Sequence, residues 1–109
     1  KMKIYLDDER DPPEGWLLVR TPTSFITLLD YWIEEGKWDE VEAISFDHDL
    51  GYFKRNGEEV TGNDCLLHIE KKIIENNLKV PELYIHTSNP SAKNKMLMAV
   101  YNLQTAKRQ

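Results

Sequence analysis

Cysteine is almost missing from this chain. Cys65 is the only one, so no internal disulfide can form, and its place inside a helical apolar pattern makes it a small core residue rather than a nucleophile. A reducing, cytoplasmic setting is the expectation. Positive charge is also short, with 14 Lys and Arg against 19 Asp and Glu and a net charge of −5. Nonspecific nucleic-acid affinity needs clustered cations that displace counterions, so a general polyanion binder is excluded while recognition of one phosphate end stays open. No apolar run approaches the roughly 18 residues needed to cross a bilayer, and no signal peptide precedes the first strand, so no membrane partner is expected. Repeats, linkers and low-complexity segments are absent as well. A length of 109 residues suits one domain, residues 1–109, with a single modest core.

What is present is an alternation of short apolar runs and amphipathic stretches. Met2 to Leu6 reads as a strand that stops at Asp7, and Asp11-Pro12-Pro13-Glu14-Gly15 can only be a turn or loop, so the first crossover is not helical. Trp16 to Val19 is a second apolar run. Thr21-Pro22 then supplies an N-cap and a proline at the first helical position. From there to Gly36, Phe25, Leu28, Leu29, Trp32 and Ile33 form one continuous face. Val41 to Phe46 is near-continuously apolar, as a central parallel strand is. The polar stretch Gly51 to Val60 is long enough to act as a flap over the strand ends. Thr61 with Asp64 resembles a capping box, and Leu66, Ile69, Ile73 and Ile74 make the buried stripe of a second helix ending near Asn77. Leu83 to Ile85 is the fourth strand. Asn89-Pro90 opens a last helix whose inner face is Ala92, Met96, Ala99, Val100 and Leu103. The order predicts an α/β sandwich with a short four-stranded parallel sheet and helices on both faces.

Three runs of reactive side chains, Asp7-Asp8-Glu9-Arg10, Asp47-His48-Asp49 and His86-Thr87-Ser88-Asn89, each follow a predicted strand. The carboxyl ends of parallel strands share one edge, so the three runs converge on one site. Asp7 and Asp8 facing Asp47 are a common way to build an oxygen-ligand site for Mg²⁺. Asp47, at the end of a buried strand, needs a partner, with a metal, Arg10 or a protonated histidine as candidates. Histidine is the side chain that ordinarily changes charge near neutrality, so with His48 and His86 one ring can accept a proton while the other donates one across a phosphodiester. Asp47 or Asp49 can hold His48 in its working tautomer. Thr87, Ser88 and Asn89 lead into a helix start that favours anions, and His86-x-Ser88 points two polar side chains the same way. Asn89 also explains itself as the N-cap. Arg10 either clamps a phosphate or pairs with Asp8. Trp16, Tyr52 and Phe53 are candidates for stacking a base. Lys93, Lys95, Lys107 and Arg108 form the only basic cluster available to steer RNA. His68, inside the second helix without polar company, reads as structural.

Leu6-Asp7-Asp8-Glu9-Arg10-x-Pro12-Pro13, Trp16 and Val19-Arg20-Thr21 shortly after, Ser45-Phe46-Asp47-His48-Asp49-Leu50-Gly51, Thr61-Gly62 and Ile85-His86-Thr87-Ser88-Asn89-Pro90 together resemble the cyclic-phosphate processing receiver-like domains. The resemblance spans nearly the whole chain in the expected order. It implies a receiver-type, flavodoxin-like fold and the handling of cyclic-phosphate ends of RNA or nucleotides, in a context such as RNA repair. The positions carried over are Asp7, Asp8, Asp47, His48, Asp49, His86 and Ser88. The leading expectation is a phosphoesterase on cyclic or terminal phosphates, with His48 and His86 as acid and base, Asp49 and Ser88 in support, and Arg10, Thr87 and Asn89 binding substrate. Asp7, Asp8 and Asp47 would hold Mg²⁺ or Mn²⁺ or orient the rings. One alternative is a metal-dependent nuclease. Another is a receiver-derived module that binds a phosphorylated ligand, or accepts phosphate on Asp47, without turnover. The phosphoacceptor version ranks below an enzyme because the two histidines have no task there and no fifth strand with a receiver's lysine is expected.

Overall fold

The computed structural model describes residues 1–107, so Arg108 of the expected basic cluster lies outside the described residues. Alternation along the strands decides the architecture. In β1 (Met2–Leu6), Ile4 and Leu6 enter the hydrophobic core while Tyr5, between them, faces the other way. The same division holds in β3 (Val41–Phe46), where Ile44 and Phe46 enter the core, and in β6 (Glu82–Ile85), where Leu83 and Ile85 do. With β2 (Leu17–Val19), one residue shorter than the predicted run, these strands form a parallel sheet in the order β2-β1-β3-β6.

The helices start where the caps lie. Thr21 accepts the Ser24 amide at 3.1 Å to open α1 (Pro22–Glu34), and Thr61 and Asp64 form a reciprocal capping box on α2 (Gly62–Glu75). Asn89 accepts the Ala92 amide at 3.2 Å to open α3 (Pro90–Lys107). Phe25 and Leu29, Leu66, Ile69 and Ile73, and Met96, Val100 and Leu103 bring the three helices onto one core. Ile74, expected in the α2 stripe, is exposed instead, one position past the last turn that faces the core.

The receiver-like α/β fold class holds, but the expected coverage of both sheet faces does not. The crossovers β2-α1-β3 and β3-α2-β6 step across the sheet in the same direction, so right-handed connections set α1 and α2 on the same side. Helix α3 packs against α2 there. The one connection running the opposite way, from β1 to β2, is the one without a helix. The second face therefore carries only side chains. Tyr5, Ser45 and Tyr84 lie in register across β1, β3 and β6. Trp16 meets Tyr5 and Tyr84 edge-on, with centroid separations of 6.1 and 6.3 Å.

Residues 51–60 are not an irregular flap. Tyr52–Phe53 (β4) and Glu59–Val60 (β5) pair antiparallel. The turn between them is closed by Lys54 N–H on the Glu58 carbonyl at 2.8 Å and by Gly57 in a left-handed conformation. His68 does have polar company: its Nε2 lies 2.9 Å from Asp30 Oδ1, which joins α2 to α1. No helix among the described residues is long and apolar enough to cross a membrane.

Candidate functional site

The sheet ladder continues one residue past each strand. Asp7 N–H donates to the Val19 carbonyl (3.1 Å), Asp47 N–H to Leu6 (2.9 Å) and His86 N–H to Phe46 (3.0 Å), which fixes these three residues side by side at the carboxyl edge. By period two each continues the uncovered sheet face, Asp7 after Tyr5, Asp47 after Ser45 and His86 after Tyr84.

Asp7 is the hub. Its side chain is fully buried. Oδ1 accepts the amides of Glu9 and Arg10, both at 2.9 Å, while Oδ2 accepts Arg10 Nη1 at 3.0 Å and faces His86 Nε2 at 2.9 Å. Burial pushes this carboxyl up, but the two amides, the His86 ring and the guanidinium outweigh it and hold Asp7 below its ordinary value. It is therefore an ionised acceptor, so His86 Nε2 carries a proton. The other ring nitrogen, Nδ1, lies 2.7 Å from Ser45 Oγ, and the ring stacks on Tyr5 with centroids 4.2 Å apart. Both nitrogens of His86 are thus engaged inside the protein.

Arg10 belongs with Asp7 and, at 3.6 Å, with Asp47 Oδ2, rather than with Asp8. Asp47 is buried, and its Oδ1 accepts the His48 amide at 2.8 Å. His48 Nδ1 lies 2.8 Å from Asp49 Oδ1, so Asp49, not Asp47, sets its tautomer. Among the described residues no protein group bonds His48 Nε2. The backbone here is held tightly against α2. Gly62 N–H donates to the His48 carbonyl at 2.8 Å, and a Cβ at Gly62 would overlap the Asp47 carbonyl.

These residues border a cleft of about 390 Å³ lined by Asp7, Asp8, Glu9, Arg10, Asp47, Asp49, Gly51, Glu59 and Ser88. Six carboxylates thus surround one guanidinium. Neither histidine is in the lining. Each instead lies behind a carboxylate that is, His48 behind Asp49 and His86 behind Asp7. Thr87 is buried, with Oγ1 accepting the Asn89 amide at 3.2 Å, and Asn89 Oδ1 accepts Ser91 Oγ as well as its cap amide, so both serve the start of α3.

Among the described residues the group with metal-ligand spacing is Asp7, Asp47 and His86, whose donor atoms lie within 4.8 Å of one another, rather than Asp7, Asp8 and Asp47. Asp8 lines the cleft beside Gly51. Sequence reasoning missed Ser45 as the partner of His86 because the pair is 41 residues apart. The available signal was its place two residues before Asp47. Cys65 is buried in α2, and burial with the nearby Asp64 pushes its thiol up to about 12, which makes it inert.

The family model for the cyclic-phosphate processing receiver domain matches residues 2–102. No curated protein and no solved structure matches the chain.

Proposed function

We propose, for a chain that belongs to the cyclic-phosphate processing receiver domain family, that it is a phosphoesterase acting on cyclic or terminal phosphates of RNA ends or nucleotides. The observation that carries this reading is the pair of histidine–carboxylate couples, His48–Asp49 and His86–Asp7, whose carboxylates border one cleft with Arg10 and Ser88. Opening a 2′,3′-cyclic phosphate forms a bond from water oxygen to phosphorus and breaks one phosphorus–sugar oxygen bond. The water proton passes to the His48–Asp49 couple, and the sugar oxygen takes a proton from His86 in its imidazolium form, which requires Nε2 to turn from Asp7 to the substrate. Arg10 holds the phosphoryl oxygens and Ser88 donates to one of them.

A cation-assisted version of the reaction is favoured by the charge of the cleft, because six carboxylates repel a phosphodiester and Arg10 balances only one of them. The oxygen-rich donor set suits Mg²⁺ or Mn²⁺. All the lone-pair positions of Asp7 are already engaged, so it would ligate an ion only once Arg10 turned outward. Asp47 and Asp8 are the readier ligands. A bound ion would neutralise charge on the phosphoryl oxygens.

Phosphorus NMR of 2′,3′-cyclic nucleotides and of a cyclic-phosphate-ended oligonucleotide, with and without EDTA, tests both versions. Conversion to a phosphomonoester that disappears in His48→Ala supports the reading, and loss with EDTA restored by Mg²⁺ or Mn²⁺ selects the cation-assisted form. Intact substrates under every condition would leave a phosphate-binding module without turnover.

A further inference from the structure

We propose that Phe53 is the stacking surface for the nucleobase of the ligand, so that the chain recognises a nucleotide or RNA end rather than a bare phosphate ester. The inference rests on the phosphate reading of the cleft and adds to it the part of the ligand that the cleft itself cannot hold.

Strand pairing fixes where Phe53 points. In the β4–β5 hairpin, Tyr52 lies opposite Val60 and Phe53 opposite Glu59. Residues directly opposite in an antiparallel pair project to the same side, and successive residues project to opposite sides. Tyr52 packs against the core and its hydroxyl lies 2.8 Å from Thr23 Oγ1, so the Tyr52–Val60 side faces the body of the protein. The Phe53–Glu59 side faces away, and Glu59 lines the cleft. Phe53 therefore stands at the cleft rim, with 60% of its surface exposed and no aromatic neighbour among the described residues.

The backbone that carries the ring is also held in place. Leu50, just before the hairpin, is buried, the Tyr52 hydroxyl is tied to α1, and the turn is closed by Lys54–Glu58 and Gly57–Lys54 backbone bonds. An anchored backbone removes one part of the ordering cost when a planar group settles on the ring. The cleft beneath is lined by carboxylates, an arginine and a serine, which suit a phosphoryl group and offer no flat apolar surface. A ligand with both a phosphate and a base fits the two together. Phenylalanine has no polar atom to read a base edge, so the subsite accepts purines and pyrimidines alike.

The test is an NMR titration of wild type, Phe53→Ala and Phe53→Trp with slowly hydrolysed probes: the 2′,3′-cyclic phosphorothioates of adenosine, uridine and, without a base, methyl riboside. Wild type and Phe53→Trp are expected to bind both nucleoside compounds about tenfold more tightly than the methyl riboside, and Phe53→Ala to lose that advantage while keeping its affinity for the methyl riboside. If Phe53→Ala keeps the advantage, the base sits elsewhere and the inference is wrong. If wild type binds all three probes equally, the subsite falls while the phosphate reading stands. Binding of none of them overturns both.

Discussion

At the scale of single residues, Asp7 organises the site more than either histidine does. Four donors converge on its two oxygens from Glu9, Arg10 and His86, so Asp7→Asn would leave Arg10 and His86 facing an amide that cannot accept from all of them. Breaking a buried ionic contact this way is expected to destabilise the fold by roughly 3 kcal/mol, measured by urea denaturation at neutral pH. A midpoint unchanged from wild type would show that the hub is not structural. The folded-state carboxyl of Asp7 lies below its unfolded value, so its contribution is present above the ordinary carboxylate range and is lost as pH falls through the lowered folded value. Wild type should therefore lose stability below about pH 4 more steeply than Asp7→Asn. Ser45 tests a different link. Its hydroxyl meets His86 Nδ1 while Asp7 keeps the proton on Nε2, so Ser45→Ala should cost about 1 kcal/mol. Nitrogen NMR of the ring should still report a protonated Nε2 in that variant. A switch of tautomer would mean that Ser45, not Asp7, sets the ring.

At the scale of elements, Gly62 couples the first turn of α2 to the loop that carries Asp47 and His48. A Cβ would overlap the Asp47 carbonyl, and backbone cannot step aside as a flexible side chain does. Gly62→Ala is expected to destabilise by about 3 kcal/mol and to shift the His48 and Asp49 amide resonances, whereas Thr61→Ala, which removes only the cap, should cost about 1 kcal/mol. Near-equal losses would mean that α2 tilts freely away from the loop. The caps Thr21, Thr61 and Asn89 were legible in the sequence because capping is local, and so were the four sheet strands, whose apolar runs end at charged residues. The hairpin was not, since β4 and β5 are two residues each and show no alternation long enough to read. Ile74 was misassigned because a 3.6-residue period admits one more apolar position than the core reaches. The reactive runs were legible as convergent, because each follows a strand. Their internal geometry was not. Nothing local says that Arg10 turns to Asp7 and Asp47, or that His86 turns inward to Ser45 and Asp7.

At the scale of the whole molecule, strand order explains both the bare sheet face and the charge of the cleft edge. Order is invisible to periodicity, which is why coverage of both faces was expected. On the bare face Trp16 stands in for a helix, spanning from Tyr5 on β1 to Tyr84 on β6, with Lys3 Nζ 5.8 Å from its ring. Trp16→Ala should cost about 2 kcal/mol, less than a fully buried tryptophan because the indole is half-buried. It should also loosen the Tyr5–His86 stack, seen as broadened His86 ring signals. Charge sets a second expectation. With a net charge of −5 and Arg10 as the one cation in the cleft lining, in the proposed function the cleft grips a single terminal phosphate and supplies no cation of its own to a backbone. Each phosphate neutralised on a single strand contributes roughly −0.7 to the slope of log affinity against log salt. Fluorescence anisotropy with a cyclic-phosphate-ended oligonucleotide should therefore give a slope of about −1 or shallower. A slope of roughly −3 or steeper would require several backbone contacts, for which the described residues offer exposed cations such as Lys54 and Arg55 in the β4–β5 turn and Lys93 and Lys95 on α3. That outcome would extend RNA recognition beyond the cleft lining, and charge reversal at Arg55 or at Lys93 and Lys95 would show whether the β4–β5 turn or the last helix carries it.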